Sequence, residues 1–328
     1  MFLWSGHAAA AKRRTVSLRG IVALFIATAC PATHATDLHR IGVTLSDLGN
    51  PFFVELARSV EETAHRLGGA NVEVSVLSSA YDLDRQVGQI DAFIAQKVDL
   101  IVLNAADPEA IAPAVKRARD AGIRVVAVDV AARGADLTVT TDNRQAGRLA
   151  CRAMAEHLGG AGKVIIINGV SVSSVVDRVS GCREALKSFP AVQLLSWDRN
   201  SGGSRIGGLA RMADLLAAYP HIDGVFAIND PVAEGADQAV RMAGRSGIAI
   251  FGVDGSPGVM ARLRDPRSML QGTAAQEPRK MAQIAVEEGV KMLQGRAPKR
   301  QLVLLPATLV TRESVGSYKG WAPAEPER

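Results

Sequence analysis

The sequence predicts an α/β protein with two doubly wound parallel-sheet lobes, joined by a hinge that the chain crosses three times. Strand-like and helix-like stretches alternate with regularity beyond the N-terminal segment. The strands are continuous Val/Ile/Leu runs, which is typical of parallel strands covered on both faces. The alternation falls into two consecutive series of similar size, which indicates two lobes.

The first series begins with a strand, and the helix after it opens next to Pro51 and ends at Gly68 and Gly69. Proline suits the first turn of a helix and glycine suits its end. Pro108 suits the start of the third helix for the same reason. The strands are predicted over Ile41–Ser46, Val72–Ser78, Leu100–Asn104 and Ile123–Asp129, and the helices over Phe52–Leu67, Asp84–Gln96 and Pro108–Ala121.

The second series begins at Asp142, a candidate cap for a helix that runs to about Leu158. Its other helices are predicted over Ser174–Ser188, Arg205–Ala218, Val232–Met242 and Pro278–Leu293. Its strands are predicted over Val164–Asn168, Val192–Trp197, Gly224–Asn229, Ile248–Asp254, Met269–Ala275 and Leu302–Val310.

No low-complexity linker separates the two series, so we expect short crossing segments near Thr140, Ala275 and Pro306. The first lobe then comprises residues 38–140 plus 277–305. The second lobe comprises residues 141–276 plus 306–320.

Composition is ordinary for a globular protein of about two domains, with 328 residues, 48% of them hydrophobic and 22% charged. The formal net charge is +5, but Lys12, Arg13, Arg14 and Arg19 lie in an N-terminal segment without acids. Removing these four from the 38 basic residues leaves 34 against 33 acidic ones, a net charge of +1. We therefore expect no nucleic-acid partner.

The first 35 residues are predicted to be a secretory signal peptide. Their basic residues precede an apolar run over 20–29, which suits the core of a signal but is too short to span a bilayer. We expect cleavage near Ala35 and a location in the periplasm. Lipid attachment at Cys30 is the alternative, although the usual leucine three residues earlier is missing.

Two cysteines remain after such cleavage, Cys151 and Cys182. An even pair in an oxidising compartment is a candidate disulfide. Two separate buried thiols are the alternative, and the sequence leaves both open.

Polar and aromatic side chains suited to a polyhydroxylated ligand recur where predicted strands end. Asp, Asn, Gln and Arg can hydrogen-bond vicinal hydroxyls, and a flat ring can cover the C–H face of a sugar. In an open α/β sheet the carboxyl ends of the strands border the ligand crevice. The candidate ligand-binding residues are Ser46, Asn50, Phe52, Phe53, Asn104, Asp129, Arg178, Asn229, Asp254 and Gln276.

Each candidate also has an ordinary structural explanation. Asn50 before Pro51 is a common turn former, and the two phenylalanines are candidate core residues of their helix. Residues such as Asn104, Asp129 and Asn229 often satisfy loop backbone or cap the next helix. Arg178 has Asp177 and Glu184 as candidate surface partners.

The order of these motifs resembles a known family. The motifs are Asn50-Pro51-Phe52-Phe53, Asn104-Ala105-Ala106-Asp107, Val128-Asp129, Asp177-Arg178, Phe226-Ala227-Ile228-Asn229-Asp230, Gly252-Val253-Asp254-Gly255 and Gln276. Over residues 38–315 the chain is similar to periplasmic sugar-binding proteins of the ribose-binding type, the receptors of ABC importers. The resemblance implies two lobes with a small sugar or polyol between them, delivered to the permease subunits of an ABC transporter.

Sugar-contacting positions of that family match Asn50, Phe52, Phe53, Asp129, Arg178, Asn229, Asp254 and Gln276. Two departures from the family pattern put ribose itself in doubt. Val130 replaces an arginine that usually follows the aspartate, and the glycine-rich stretch Gly202-Gly203-Ser204 replaces an aromatic residue of the second lobe. Trp197 is a candidate for the missing ring, with a packed core tryptophan as the alternative.

We expect binding without catalysis, cofactor or metal, by a monomer. No nucleophile motif or metal-binding motif is present, and no histidine ends a predicted strand beside a nucleophile. A sugar-responsive transcription regulator is disfavoured because the segment before Ile41 leaves no room for a DNA-binding domain. A receptor that feeds a chemotaxis or sensor-kinase partner remains an alternative that is compatible with transport.

Overall fold

The computed structural model describes residues 1–3, 6 and 38–321, and those from 38 onward belong to one compact unit. The strands are β1 (Arg40–Leu45), β2 (Glu73–Ser78), β3 (Leu100–Leu103), β4 (Arg124–Val128), β5 (Leu137–Thr141), β6 (Ala161–Asn168), β7 (Ala191–Asn200), β8 (Gly224–Ala227), β9 (Ala249–Asp254), β10 (Leu270–Ala275), β11 (Leu302–Leu305) and β12 (Thr308–Thr311). The helices are α1 (Pro51–Gly68), α2 (Leu83–Ala95), α3 (Ala112–Asp120), α4 (Asn143–His157), α5 (Ser173–Leu186), α6 (Arg205–Ala218), α7 (Asp230–Met242), α8 (Pro257–Arg264) and α9 (Pro278–Leu293).

The strands form two six-stranded sheets, which confirms the predicted fold class. The first sheet has the order β11-β5-β4-β3-β1-β2, and every neighbouring pair is parallel. The second has the order β12-β10-β9-β8-β6-β7 and is parallel except for β12, which runs antiparallel to β10. We call the first sheet with α1, α2, α3 and α9 the first lobe, and the second sheet with α4 to α8 the second lobe.

The central strands are buried on both faces, as their continuous apolar runs predict. Every residue of β3, β8 and β9 is buried. Helices cover both sheets, and the strand ends are left to face the space between the lobes. Within the described residues no helix combines the length and the apolar character that a membrane crossing needs.

The chain passes between the sheets three times. It leaves β5 for α4 at Asp142, and it returns from β10 to α9 through Gln276 and Glu277. The third passage, from β11 to β12, runs through Pro306 and Ala307. These positions lie close to the predicted crossings.

The single strand predicted over Leu302–Val310 is wrong. It is two strands in two different sheets, divided at Pro306, which has no N–H for a strand ladder. Sequence reasoning also missed β5 as a full strand and α8 altogether.

The third helix begins at Ala112 rather than Pro108, with Pro113 in its first turn. Residues after Asp107 form turns in which its carboxylate accepts from the N–H groups of Glu109 and Ala110. The turn therefore takes the place of the predicted first helical turn.

The predicted export signal at residues 1–35, including Cys30, lies outside the described residues apart from positions 1–3 and 6.

Helices α4 and α5 cross at very short range in the second lobe. A Cβ atom built on Gly147 would overlap the carbonyl oxygen of Arg178, and one on Gly181 would overlap that of Arg144. A disulfide between Cys151 and Cys182 joins the two helices beside this crossing, with Cα atoms 5.0 Å apart. The two glycines and the disulfide thus hold α5 at a fixed position on α4.

Substitution of Gly147 by Ala is expected to destabilise the protein by about 1–3 kcal/mol, since the helices must move apart to admit the methyl group. Chemical denaturation measures this. Gly88→Ala is the matched control, because Gly88 lies in α2 with nothing near its Cβ position, and the change there should stabilise by about 0.5–1 kcal/mol. Equal effects of the two substitutions would contradict the close crossing.

Candidate functional site

The carboxyl ends of the two sheets face one another across a cavity of about 30 Å³. Nine of the ten predicted ligand-binding residues line it: Asn50, Phe52, Phe53, Asn104, Asp129, Arg178, Asn229, Asp254 and Gln276. Ser46 does not line the cavity. Crevices at strand carboxyl ends are the common ligand sites of open α/β sheets.

The lobes are closed on each other around this cavity. The N–H of Ala131, in the first lobe, donates to Ser173 Oγ of α5 at 3.0 Å. Arg178 Nη2, also on α5, lies 3.7 Å from Asp129 Oδ1 of the first lobe. The two contacts bring opposite walls of the cleft together.

Asp129 follows β4 and projects its carboxylate into the cavity from the first lobe. Its backbone has φ of 59°, in the left-handed region, which a non-glycine residue adopts at some cost. Asp129 Oδ2 accepts from Asn104 Nδ2 at 3.1 Å, whereas Oδ1 is buried without a hydrogen-bond partner among the described residues. One carboxylate oxygen is therefore held in place, and the other lies beside the Arg178 guanidinium without a direct hydrogen bond to it.

Ser46 and Asn104 act on the cavity through Asp129. Ser46 Oγ donates to Asn104 Oδ1, and Asn104 Nδ2 donates to the carbonyl of Val128 at 3.1 Å as well as to the aspartate. Both side chains are fully buried. Asn104 is thus a positioning residue at the cavity wall, and Ser46 supports it from behind.

Arg178 projects from α5 between the two acidic side chains of the cavity. Its Nε donates to Asn143 Oδ1 at 2.7 Å and its Nη1 donates to the carbonyl of Ile228 at 3.0 Å. The guanidinium is 3.7 Å from Asp129 and 3.7 Å from Asp254, too far for direct hydrogen bonds.

The surface ion pairs considered for Arg178 are not formed by it. Asp177 and Glu184 contact Arg144 of α4 instead. Arg178 is 4% exposed, so its charge is directed into the cleft rather than toward solvent.

Asp254 ends β9 and faces Arg178 from the second lobe, with φ of 139°. Its Oδ1 accepts from Gln276 Nε2 at 2.8 Å, and its Oδ2 accepts from the N–H of Asp230 at 3.3 Å. Gln276 Oε1 is buried without a partner among the described residues. Gln276 is therefore a second cavity-lining residue with a buried acceptor that lacks a hydrogen bond.

Burial raises the pKa of Asp254 to about 6, although Arg178 and the Gln276 hydrogen bond oppose the rise. Burial likewise raises the pKa of Asp129, against the opposing charge of Arg178. Asp230 is completely buried beside Asp254, and this raises its pKa well above the ordinary range. The proximity of the Asp254 carboxylate adds to this rise in the pKa of Asp230.

Asn50 and Asn229 cap helices and line the cavity at the same time. Asn50 Oδ1 accepts from the N–H of Phe52 at 2.9 Å, at the start of α1. Asn229 Oδ1 accepts from the N–H of Val232 at 3.0 Å, and its Nδ2 donates to the carbonyl of Gly203 at 2.8 Å. The capping explanation holds for both residues, and each amide group remains at the cavity wall.

Phe52 and Phe53 are core residues as well as cavity walls. They are buried and meet edge to face, with centroids 5.4 Å apart. Phe52 also packs on Trp321, whose Nε1 donates to the carbonyls of Asp254 and Gln276. The aromatic cluster thereby joins the first lobe to the hinge.

Both expectations for Trp197 are wrong. It is 43% exposed on the second lobe, with the Arg183 guanidinium 4.4 Å above its ring. The ring is anchored on the surface by this cation–π contact and does not line the cavity. Val130 and Gly203, where the chain departs from the family pattern, do line the cavity.

Sequence reasoning missed Tyr81, which lines the cavity from the loop between β2 and α2. Its one sequence signal is an aromatic residue between a strand end and Asp82, the cap of α2. Ser174 of α5 lines the cavity too and was also missed.

The residues that line the cavity include hydrogen-bond acceptors on Asp129 and Gln276 and donors on Arg178. The two phenylalanines offer apolar surface for carbon atoms. Within the described part of the chain, neither histidine nor cysteine lines the cavity. The arrangement is suited to gripping hydroxyl groups.

Comparison with known proteins gives a consistent result. Residues 41–297 match the family described as periplasmic binding protein domain. The chain is 32% identical to the ribose import binding protein of Bacillus subtilis (strain 168), over 87% of this chain and 94% of that protein. It is also 32% identical to the xylitol-binding protein of Mycolicibacterium smegmatis, over 73% of this chain and 69% of that one.

Solved structures show the same architecture. An ABC transporter solute binding protein from Mycobacterium smegmatis with bound glycerol is similar with a TM-score of 0.81, at 27% identity, covering 88% of this chain and all of that one. One from Actinobacillus succinogenes with bound D-allose has a TM-score of 0.79, at 27% identity, covering 85% of this chain and all of that one.

The raised pKa of Asp254 predicts a pH-dependent stability. The folded protein keeps this proton up to about pH 6, whereas the unfolded chain releases it near 3.8. The stability that the proton contributes is complete below about pH 4 and is lost as the pH rises through 6. Asp129 and Asp230, whose pKa values are also raised, act in the same direction.

We expect deprotonation of Asp254 to lower the free energy of unfolding of the ligand-free protein by about 1–3 kcal/mol between pH 4 and 7. Chemical denaturation at a series of pH values measures the slope. Asp254→Asn should make it shallower, and Asp91→Asn, which alters an exposed ion pair with Arg117, should leave it unchanged. A slope that is the same in all three proteins would refute the assignment.

Proposed function

The chain belongs to the periplasmic binding protein family, and on that premise we propose that it is a solute receptor of an ABC importer. It captures a small neutral sugar or sugar alcohol between its lobes and presents it to the permease. It has no enzymatic step of its own. This ligand class is supported by its similarity to a ribose import binding protein, to a xylitol-binding protein, and to solute binding proteins with bound D-allose and bound glycerol.

One observation carries the proposal: Asp129 Oδ1 and Gln276 Oε1 are buried acceptors without hydrogen-bond partners in the described structure, and both residues line the same cavity. Leaving such an atom unpaired costs about 1–3 kcal/mol. Two hydroxyl groups of one ligand satisfy both atoms. The adjacent Arg178 guanidinium then donates to the hydroxyl oxygens.

The mechanism we propose is closure of the cleft. The first lobe (38–140 and 277–305) offers Asn50, Phe52, Phe53 and Asp129, and ligand binds this face in the open form. The second lobe (141–276 and 306–320) adds Arg178, Asn229 and Asp254, which reach the ligand only after closure. The ligand thereby shifts an open–closed equilibrium toward the closed state.

Export to the periplasm is part of the proposal. Its support is the signal-like segment at residues 1–35, the family membership and the disulfide, which suits an oxidising compartment. A role in chemotaxis or in sensor-kinase signalling is compatible with the same binding step.

A thermal-shift screen over pentoses, hexoses and alditols tests the ligand class, because a ligand that binds only the native state raises its Tm. We expect at least one of these compounds to raise the Tm in proportion to the logarithm of its concentration. Sugar phosphates and sugar acids serve as charged comparators. If only charged compounds shifted the Tm, the proposed ligand class would be wrong.

Replacing Asp129 by Asn should weaken binding of the best ligand from that screen by about 5- to 150-fold. The amide keeps its oxygen toward Asn104 and turns its NH₂ group toward the ligand, so an acceptor becomes a donor. Titration calorimetry measures the affinity, and Asp91→Asn on the surface is the control. An unchanged Kd would remove Asp129 from the site.

A further inference from the structure

Tyr81 is the one large cavity-lining side chain in the described structure that comes from the β2–α2 loop. Two successive residues of this loop, Ala80 and Tyr81, have φ of 53° and 59°. Left-handed backbone is unfavourable for bulky L residues. The loop therefore adopts a costly conformation, held by Asp82 capping α2, that leaves the Tyr81 ring at the cavity.

The ring reaches across the cleft to the second lobe. A Cβ atom built on Gly203 would lie 3.8 Å from Tyr81 Oη and 3.5 Å from Asn229 Nδ2. Gly203 is itself buried, with φ of 71°. Any larger side chain at position 203 would extend toward the phenol, so Tyr81 occupies the space that a side chain of the second lobe would otherwise fill.

Within the described ranges, Tyr81 Oη makes no hydrogen bond to another residue, although the ring is half-buried. Burial and the nearby carboxylates of Asp129, Asp47 and Asp254 raise the pKa of Tyr81 strongly. The group therefore remains neutral and can donate as well as accept near the ligand.

We propose that Tyr81 is a specificity-determining residue that limits the length of the ligand. Its ring closes the cavity on the side of Gly203, and its hydroxyl meets the terminal hydroxyl of a ligand of the permitted length. A ligand longer by one CHOH unit on that side collides with the ring. This inference rests on the proposed function, because it concerns the same cavity and the same ligand class.

The position of the ring supports a steric limit. Tyr81 lines the cavity together with Gly203 and Asn229. Its ring therefore occupies space on that side when the lobes are closed, and a longer ligand requires either displacement of the ring or incomplete closure.

The test uses the purified secreted protein and a series of alditols and aldoses of three to seven carbons. Titration calorimetry gives the Kd of each for the wild type, Tyr81→Phe and Tyr81→Asn. Asparagine tolerates left-handed backbone, so Tyr81→Asn removes the ring while keeping the loop conformation. If Tyr81→Asn does not fold, Tyr81→His is used instead, because histidine has a smaller ring and also tolerates left-handed backbone.

We expect Tyr81→Asn to change the ligand preference about tenfold. The ratio of its affinity for the ligand one carbon longer to its affinity for the best wild-type ligand should rise about tenfold over the wild-type ratio. Tyr81→Phe should keep the wild-type length preference and weaken binding of the best ligand several-fold through loss of the hydroxyl. Tyr219→Phe is the matched control, since Tyr219 Oη donates to the carbonyl of Leu195 away from the cavity.

The outcomes separate this inference from the proposed function. If ligands bind the wild type and the length preference is the same in Tyr81→Asn, Tyr81 sets no limit, and the receptor function stands. If no member of the series binds the wild type, the proposed receptor function is wrong, and the proposed limit on ligand length is wrong as well.

Discussion

The Arg178 guanidinium, buried between the carboxylates of Asp129 and Asp254, is the interaction on which the cleft depends. A buried charge is costly unless it is paired and hydrogen-bonded. Here the pairing is incomplete, because the 3.7 Å separations are too long for hydrogen bonds. The two lobes therefore approach one another around a set of charges and acceptors that a ligand is needed to complete.

The scaffold is arranged to keep that guanidinium in place. Gly147 and Gly181 let α4 and α5 touch backbone to backbone, and Asn143 at the start of α4 accepts from Arg178 Nε. The disulfide reinforces the same helix pair. Since α4 begins where the chain first enters the second lobe, the position of Arg178 is linked to the hinge itself.

Much of the site could be predicted because parallel strands leave their polar residues at one edge. The sequence predicts Asp129 and Asp254 as the polar ends of apolar strands, and Asn50 as the polar residue before a helix. Asn50 can both cap a helix and line the cavity, because its side-chain oxygen accepts from the helix backbone while its NH₂ group is not needed for the cap. The break of the last predicted strand at Pro306 is similarly a matter of local backbone chemistry, although it was missed.

Other features depend on the path of the chain in three dimensions. Tyr81 reaches the cavity through two left-handed residues, and Trp321 reaches the hinge from the last described position of the chain. Neither Tyr81 nor Trp321 belongs to a periodic hydrophobic pattern from which its position could be predicted. Trp197 was predicted wrongly because it lies on β7, the edge strand of its sheet, where its ring faces solvent and contacts the Arg183 guanidinium.

The charge balance of the cavity also limits what can enter. Among the described residues that line the cavity, Arg178 is the one basic side chain facing Asp129 and Asp254, and the residue after Asp129 is the uncharged Val130. Asp230 lies behind them, and its burial beside Asp254 raises its pKa well above the ordinary range, which disfavours a further negative charge there. In a closed cavity of low dielectric, an anionic ligand would meet a surplus of carboxylates. A neutral ligand avoids this repulsion and supplies the hydroxyl donors that the unpaired acceptors require.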